Sequence, residues 1–351
     1  MAVMVTGTGF VGNYVVKELL DAGEQVVLYG YFGGSGQPAS LDLPDLAFLD
    51  HLVGGDVFDK VKVVVGDISD LSAVTSAIDN NDVTSVAHLA SMVGAASEAN
   101  PPAAVRVNAG GTANVFEAAA NLKLDRVVWA SSVTVFGPRS EGPDGIVSDD
   151  SPYDPGRVYG GTKVLSELLA ERYHDNSGLT SIGLRLSRVY GFGEHIKAGR
   201  GSGTTWLLDA LNAAALGNGR AEFLFGEHSL DFHYVEDVAA AFVQALKIPA
   251  VGGKSYLTHG DYRPIREAVE YLQSMLPDSD IVLANGSGNG LPAGSNLAWA
   301  RRYNAARAEA DLGIRSRFSM EEGLYRTVSR YRRYAGLSEV SRPTDVTRTT
   351  E

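Results

Sequence analysis

The chain has 351 residues, 44% hydrophobic and 21% charged, a balance that supports a large buried core and excludes whole-chain disorder. A formal net charge of -12 opposes nucleic-acid phosphates and anionic lipid, so neither is expected as a general partner. The absence of cysteine removes disulfides, thiol nucleophiles and thiolate metal sites together. Strand-like residues begin almost at Met1, with no basic and apolar leader, and no apolar run approaches the roughly 20 residues that span a bilayer. A cytoplasmic protein without a membrane segment is therefore expected.

Along the first half, short β-branched runs alternate with longer patterns of 3.6 period, the sign of repeated βα units and a parallel sheet. Strands are predicted over residues 2–6, 25–29, 61–65, 85–89, 126–130 and 181–185, and helices over 11–22, 71–80, 102–122 and 159–174. This is an α/β, Rossmann-type doubly wound layout, whose ligands bind at the carboxyl ends of the strands. The long crossover 30–59 holds a further predicted helix, 43–52. Beyond residue 185 the pattern turns to Gly-rich loops and scattered helices at 204–216, 235–246 and 265–276, read as a smaller C-terminal substrate-binding lobe. The apolar face of 235–246 suits packing back on the sheet. The expected division is 1–187 plus about 229–250 for the nucleotide-binding domain, 188–228 and 251–337 for the lobe, and 338–351 for a frayed polar tail.

The first strand runs into Gly7-Thr8-Gly9-Phe10-Val11-Gly12 and then a helix, the context that a dinucleotide fingerprint requires. Gly7 permits the tight turn, Gly9 lets backbone approach a pyrophosphate, and Gly12 lets helix and strand pack closely. The pyrophosphate would rest at the helix N-terminus, where unpaired amides favour an anion. At the end of the second strand, where an acid usually binds the ribose, stands Gly30 between Tyr29 and Tyr31. No Lys or Arg between Lys17 and Lys60 offers to neutralise a 2′-phosphate, so the cofactor expected is NAD, with NADP left open.

Tyr159 and Lys163 stand four residues apart on one helical face, about 25 residues after a strand ending in Ala130-Ser131-Ser132. Alone, such a pair is commonplace; its place at the carboxyl edge of the sheet makes it catalytic. Oxidising a secondary alcohol needs a base for the hydroxyl proton as hydride leaves, and free tyrosine, with a pKa of about 10, is too weak at neutral pH. A nearby ammonium favours the phenolate. Ser132 would hydrogen-bond the substrate oxygen, or serve only as a strand-end cap.

The ordered series Gly66-Asp67-Ile68, His88-Leu89-Ala90, Asn108 with Gly111-Thr112-Ala113-Asn114, Ser131-Ser132 through Phe136-Gly137, Tyr159 with Lys163, Arg185 with Val189-Tyr190-Gly191, Asp231-Phe232 and Leu312-Gly313 spans almost the whole chain. It resembles the extended short-chain dehydrogenase/reductases, the NAD-dependent epimerase/dehydratase family. That resemblance implies that Asp67 and Ile68 hold the adenine, that Leu89 and Ala90 line the cofactor cleft, that Asn108 supports the active-site helices beside the cofactor, and that Lys163 also binds the nicotinamide ribose. It further implies a homodimer formed through residues 102–122 and 159–173.

The chain departs from the family pattern in places. Its glycine loop is one residue shorter than usual, so the pyrophosphate turn differs locally. Val133 and Thr134 occupy positions where dehydratases and decarboxylases carry an acid, which disfavours elimination and decarboxylation. Arg188 replaces an Asn, and Leu230 an Arg, of the usual diphosphate clamp. Ser132, Thr134, Arg188, His195 and Trp206 are the candidate substrate contacts, with His195 alternatively plain surface and Trp206 alternatively core. His195, His228 and His233 lack partners at metal-ligand spacing, so no metal site is expected. Residues 193–203 are read as a substrate lid or an ordinary loop. A dehydrogenase or ketoreductase of a sugar-like or other small hydroxylated molecule is the leading expectation. A nucleotide-sugar 4-epimerase with tightly bound NAD is the alternative, and a non-catalytic dinucleotide sensor the remaining one.

Overall fold

The computed structural model describes residues 1–32, 39–198, 205–249, 252–284 and 297–343. Its centre is a seven-stranded sheet in the order Gly253–Leu257, Ser181–Leu186, Arg126–Ser132, Ser85–His88, Ala2–Thr6, Gln25–Gly30, Val61–Val65. Every adjacent pair is parallel. The strand order reverses between Ala2–Thr6 and Ser85–His88, and the crevice beyond those two strands is the ligand position of a doubly wound sheet.

Alternation along each strand divides the core into two layers. Val3, Val5, Val26, Leu28 and Val128 face helices Phe10–Asp21 and Val235–Lys247, whereas Met4, Val27, Tyr29, Val127 and Trp129 face Leu71–Asp79, Gly111–Asn121 and Val158–Ser177. Helix Val235–Lys247 thus returns to the sheet from late in the chain, and Arg126 donates to the carbonyl of Ala245 at 3.3 Å. Outside the main sheet, Ser229–Tyr234 pairs with Asp261–Pro264 and with Val189–Tyr190, and Ile281–Leu283 pairs with Ala221–Phe223.

Three expectations change. Residues 253–257, expected in the substrate lobe, form the seventh strand, an edge that hydrogen-bonds only Ser181–Leu186. The continuous helix expected over 102–122 is a composite of Pro101–Ala104, a wider π-helical turn at Val105–Gly110, and Gly111–Asn121. Such turns release backbone from the regular ladder and gather at functional sites. Residues 338–343, expected to fray, are tied to helix Met320–Tyr334: Arg332 donates to the carbonyl of Ser338 at 2.7 Å, and Arg333 and Arg342 pair with Glu339 and Glu322. The rest of the predicted tail, 344–351, and the last five residues of the predicted lid, 199–203, lie outside the described residues.

Candidate active site

A cleft of about 1040 Å³ opens along the carboxyl ends of the strands. The glycine loop lies at its floor. Gly7 has φ +90°, and a Cβ there would stand 2.7 Å from the Ala90 nitrogen; a Cβ on Gly12 would stand 2.1 Å from the Gly7 carbonyl. Both glycines are thus required by close approach. Helix Phe10–Asp21 starts at Gly9 with no side-chain cap and no acid in its first turn, so its leading amides are available to an anion. These residues fit a dinucleotide pyrophosphate. Phe10, Val11, Gly30, Asp67, Ile68, Leu89 and Ala90 line the same cleft.

The chemistry is assembled where strand Arg126–Ser132 meets helix Val158–Ser177. The strand ends in a single 3₁₀ turn, Val133–Val135, capped by Ser132, whose Oγ accepts from the amide of Thr134 at 3.2 Å and from its hydroxyl at 3.0 Å. Two accepted bonds leave the Ser132 proton for donation outward. Gly160 brings the helix against this turn, since a Cβ would fall 2.3 Å from the Thr134 carbonyl. Tyr159 therefore stands beside Ser132, and the hydroxyls of Ser132 and Ser91 both hydrogen-bond its phenol. Lys163, buried, donates to the Ala130 carbonyl at 2.8 Å and lies 5.5 Å from the Tyr159 ring centroid.

Burial pushes the Tyr159 phenol up to about 12, against the two serine hydroxyls, and lowers Lys163 to about 8 against the opposing charge of Glu167. The lowering of Tyr159 by its lysine, expected from the sequence, is not present in the protein alone: the ammonium is turned to the Ala130 carbonyl and sits over the ring rather than at the hydroxyl.

Behind this pair lies an ionic cluster. Arg185 donates through Nε and Nη2 to the Glu167 carboxylate at 3.0 and 2.7 Å, and through Nη1 to Asp149 at 3.0 Å, all three side chains being buried. Glu167 also accepts from Ser131 at 2.5 Å and Tyr153 at 2.6 Å. The role of Glu167 was missed in the sequence, although it lies one helical turn beyond Lys163 on the same face. Beneath the cleft runs an ordered chain of polar groups. Thr112 donates to the Asn108 carbonyl at 2.6 Å, so its oxygen accepts from His88 Nε2 at 3.0 Å. His88 Nδ1 then accepts from Thr6 at 2.7 Å, and Thr6 accepts from the amide of Ala90 at 3.4 Å. Burial, with the charge of Lys163, lowers His88 to about 3, so the ring is neutral.

Of the remaining candidates, Thr134 and Arg188 line the cleft, whereas Asn108, His195 and Trp206 do not. Asn108, expected beside the cofactor, is fully buried in the π-helical turn. Its side chain accepts from the Met92 amide at 2.8 Å and donates to the Met92 carbonyl at 3.0 Å and to Thr162 at 3.2 Å, tying the segment after His88 to the catalytic helix. His195 is exposed, packed against Phe48 and Tyr331. Trp206 meets Phe225 edge-on and Trp299 at a tilt, and of these three rings only Trp299 reaches the cleft. Among the described residues no group of three or more His, Asp or Glu is placed to hold a metal, and no helix is long and apolar enough to cross a membrane.

Comparison with known proteins agrees with this geometry. The model of the NAD dependent epimerase/dehydratase family matches residues 3–257. The chain belongs to that family. Among its relatives, UDP-glucuronate 4-epimerase 2 of Arabidopsis thaliana is 27% identical over 357 residues, covering 95% of this chain and 76% of that protein. D-erythronate dehydrogenase of Cupriavidus necator is 32% identical over 192 residues, covering 54% of this chain and 55% of that protein. The structure of L-threonine dehydrogenase from Clostridium difficile superposes with a TM-score of 0.77 at 20% identity, covering 95% of this chain and 98% of that one. As a member of the NAD-dependent epimerase/dehydratase family, the protein is an NAD-dependent enzyme of the extended short-chain dehydrogenase/reductase type, built on the Rossmann-like sheet described above.

Proposed function

We propose that the protein is a dehydrogenase or ketoreductase acting on a secondary alcohol or ketone of a small hydroxylated acid. The observation that carries this is Ser132, Tyr159 and Lys163 gathered at the dinucleotide cleft with no acid at 133 or 134 to drive elimination. When bound, NAD supplies the acceptor or donor of hydride. Ser132 holds the substrate oxygen with its outward proton, Tyr159 takes or gives the hydroxyl proton, and Lys163 balances the charge that forms on the phenol. The test is incubation with NAD and a panel of hydroxy acids and sugars, read by NADH absorbance. Net NADH formation is expected; interconversion of an added substrate over many turnovers with no change in NADH would overturn the reading.

Arg188 supports an acidic substrate. It is buried at the cleft wall, held by Glu194 and by the Val189 carbonyl, and its Nη2 has no hydrogen-bond partner among the described residues. A buried guanidinium nitrogen left unpaired is costly unless an anion or water meets it. Erythronate, threonine and glucuronate, named in the three similar proteins described above, each carry a carboxylate. The double variant Arg188→Met/Glu194→Gln, which avoids stranding a buried carboxylate, is expected to raise KM for an acidic substrate about 10- to 100-fold with kcat little changed. Steady-state kinetics on the substrate found above checks it.

A second reading, a nucleotide-sugar 4-epimerase that retains its NAD, is favoured by the relative that matches over 95% of the chain. Conversion of UDP-glucuronate without added cofactor would decide for it. Under either reading the substrate lobe comprises 188–228 and the residues after 257, and the setting is the cytoplasm, which suits a chain without cysteine.

The homodimer belongs to the same reading. Val105, Leu165 and Leu168 are 50%, 45% and 46% exposed on the segments expected to pair, and an apolar surface of this kind is what a second copy would cover. Leu165→Asp/Leu168→Asp is expected to convert a dimer into a folded monomer, checked by light scattering with circular dichroism.

A further inference from the structure

We propose that Asp45 is the residue that reads the adenosine ribose, in place of the strand-end acid that this chain lacks, and that its carboxylate sets the preference for NAD over NADP. This rests on the dinucleotide cleft described above. Strand Gln25–Gly30 ends without an acid, and the space an acid would use is filled: a Cβ on Gly30 would meet the Phe32 ring at 3.2 Å. Phe32 itself has φ +39°, an unusual backbone for a bulky residue, and its buried ring closes over the strand end.

Only two residues lining the described cleft carry carboxylates, Asp45 and Asp67. Asp67 Oδ1 accepts from both the amide and the hydroxyl of Ser69 at 2.8 Å, which commits it to its own turn. Asp45 belongs to a different element, the first turn of helix Pro44–Leu52, yet it is fastened to the phosphate-binding loop twice. Its carboxylate accepts from the Thr8 hydroxyl at 3.4 Å, and its backbone carbonyl accepts from Asn13, a fully buried side chain of helix Phe10–Asp21, at 2.9 Å.

In a dinucleotide the ribose lies between the pyrophosphate and the adenine. Asp45 stands beside the loop suited to the pyrophosphate, in the wall that also contains Phe32 and Gly30 at the strand end. A carboxylate there accepts hydrogen bonds from the vicinal 2′- and 3′-hydroxyls, and it repels a 2′-phosphate for which the segment from Lys17 to Lys60 supplies no cation.

The test is direct binding of NAD and of NADP by titration calorimetry to the wild type, Asp45→Asn and Asp45→Ser, with a thermal melt of each to show that it is folded. The wild type is expected to prefer NAD. In Asp45→Asn, which keeps an acceptor for Thr8, NAD affinity should fall about 10-fold while NADP affinity rises, so that the preference shrinks by roughly 100-fold. Asp45→Ser should follow the same direction. Unchanged affinities, or an equal loss for both dinucleotides, would overturn the assignment while leaving the NAD-dependent enzyme intact. A wild type that binds neither dinucleotide would overturn the cofactor reading itself, and this proposal with it.

Discussion

Replacing Tyr159 by Phe is expected to lower turnover by about 10³-fold while leaving NAD affinity within a few-fold of the wild type. The substitution removes one oxygen and keeps the ring that lies 5.5 Å from the Lys163 ammonium, and the Lys163 bond to the Ala130 carbonyl does not depend on it. What is lost is the group that takes the substrate proton, together with the hydrogen bonds that Ser132 and Ser91 make to the phenol. Steady-state rates alongside calorimetric NAD binding separate the two effects. A loss below tenfold with normal binding would transfer the proton to another group, and Ser91 would be the first to examine.

Arg185→Met is expected to destabilise the protein by about 3–5 kcal/mol, because it strands Glu167 as an unpaired buried charge. Asp149 suffers less, since it also accepts from the Leu257 amide at 2.7 Å and lies 3.9 Å from Arg307. Urea unfolding should therefore show the single variant far below the wild type, and Arg185→Met/Glu167→Gln recovering roughly 1–2 kcal/mol of the loss. If the double variant were no better than the single one, the cost would lie in the packing of Arg185 on the Phe136 and Tyr153 rings, 5.1 and 5.8 Å away, and not in the charge.

Most of the frame could be read from the sequence because strand and helix periods are local. Strands predicted at 25–29, 85–89 and 126–130 are observed at Gln25–Gly30, Ser85–His88 and Arg126–Ser132, and the helix predicted at 43–52 is Pro44–Leu52. The edge strand Gly253–Leu257 escaped notice since Gly253, Lys254 and Ser255 carry no β-branched signal, and its place depends on a neighbour some 70 residues earlier, Ser181–Leu186. The π-helical turn escaped as well, because one widened turn leaves the apolar spacing of 102–122 almost unchanged. At the site, the glycine loop and the Tyr159–Lys163 pair were local patterns and were read as such. Asp45, Ser91 and Glu167 acquire their positions from tertiary contacts, with Thr8, Asn108 and Arg185 respectively, and a linear pattern carries no sign of those.

The polar chain under the cleft has a consequence for how the enzyme exchanges protons with water. It begins at a backbone amide, that of Ala90, and ends at a backbone carbonyl, that of Asn108, and every hydroxyl and ring nitrogen between them has its donor direction assigned. A row with fixed ends of this kind cannot pass on an extra proton, and His88, held near 3, does not take one up at neutral pH. The floor of the active site is in that sense an insulator. Protons released from or delivered to the substrate therefore do not reach the solvent through this row.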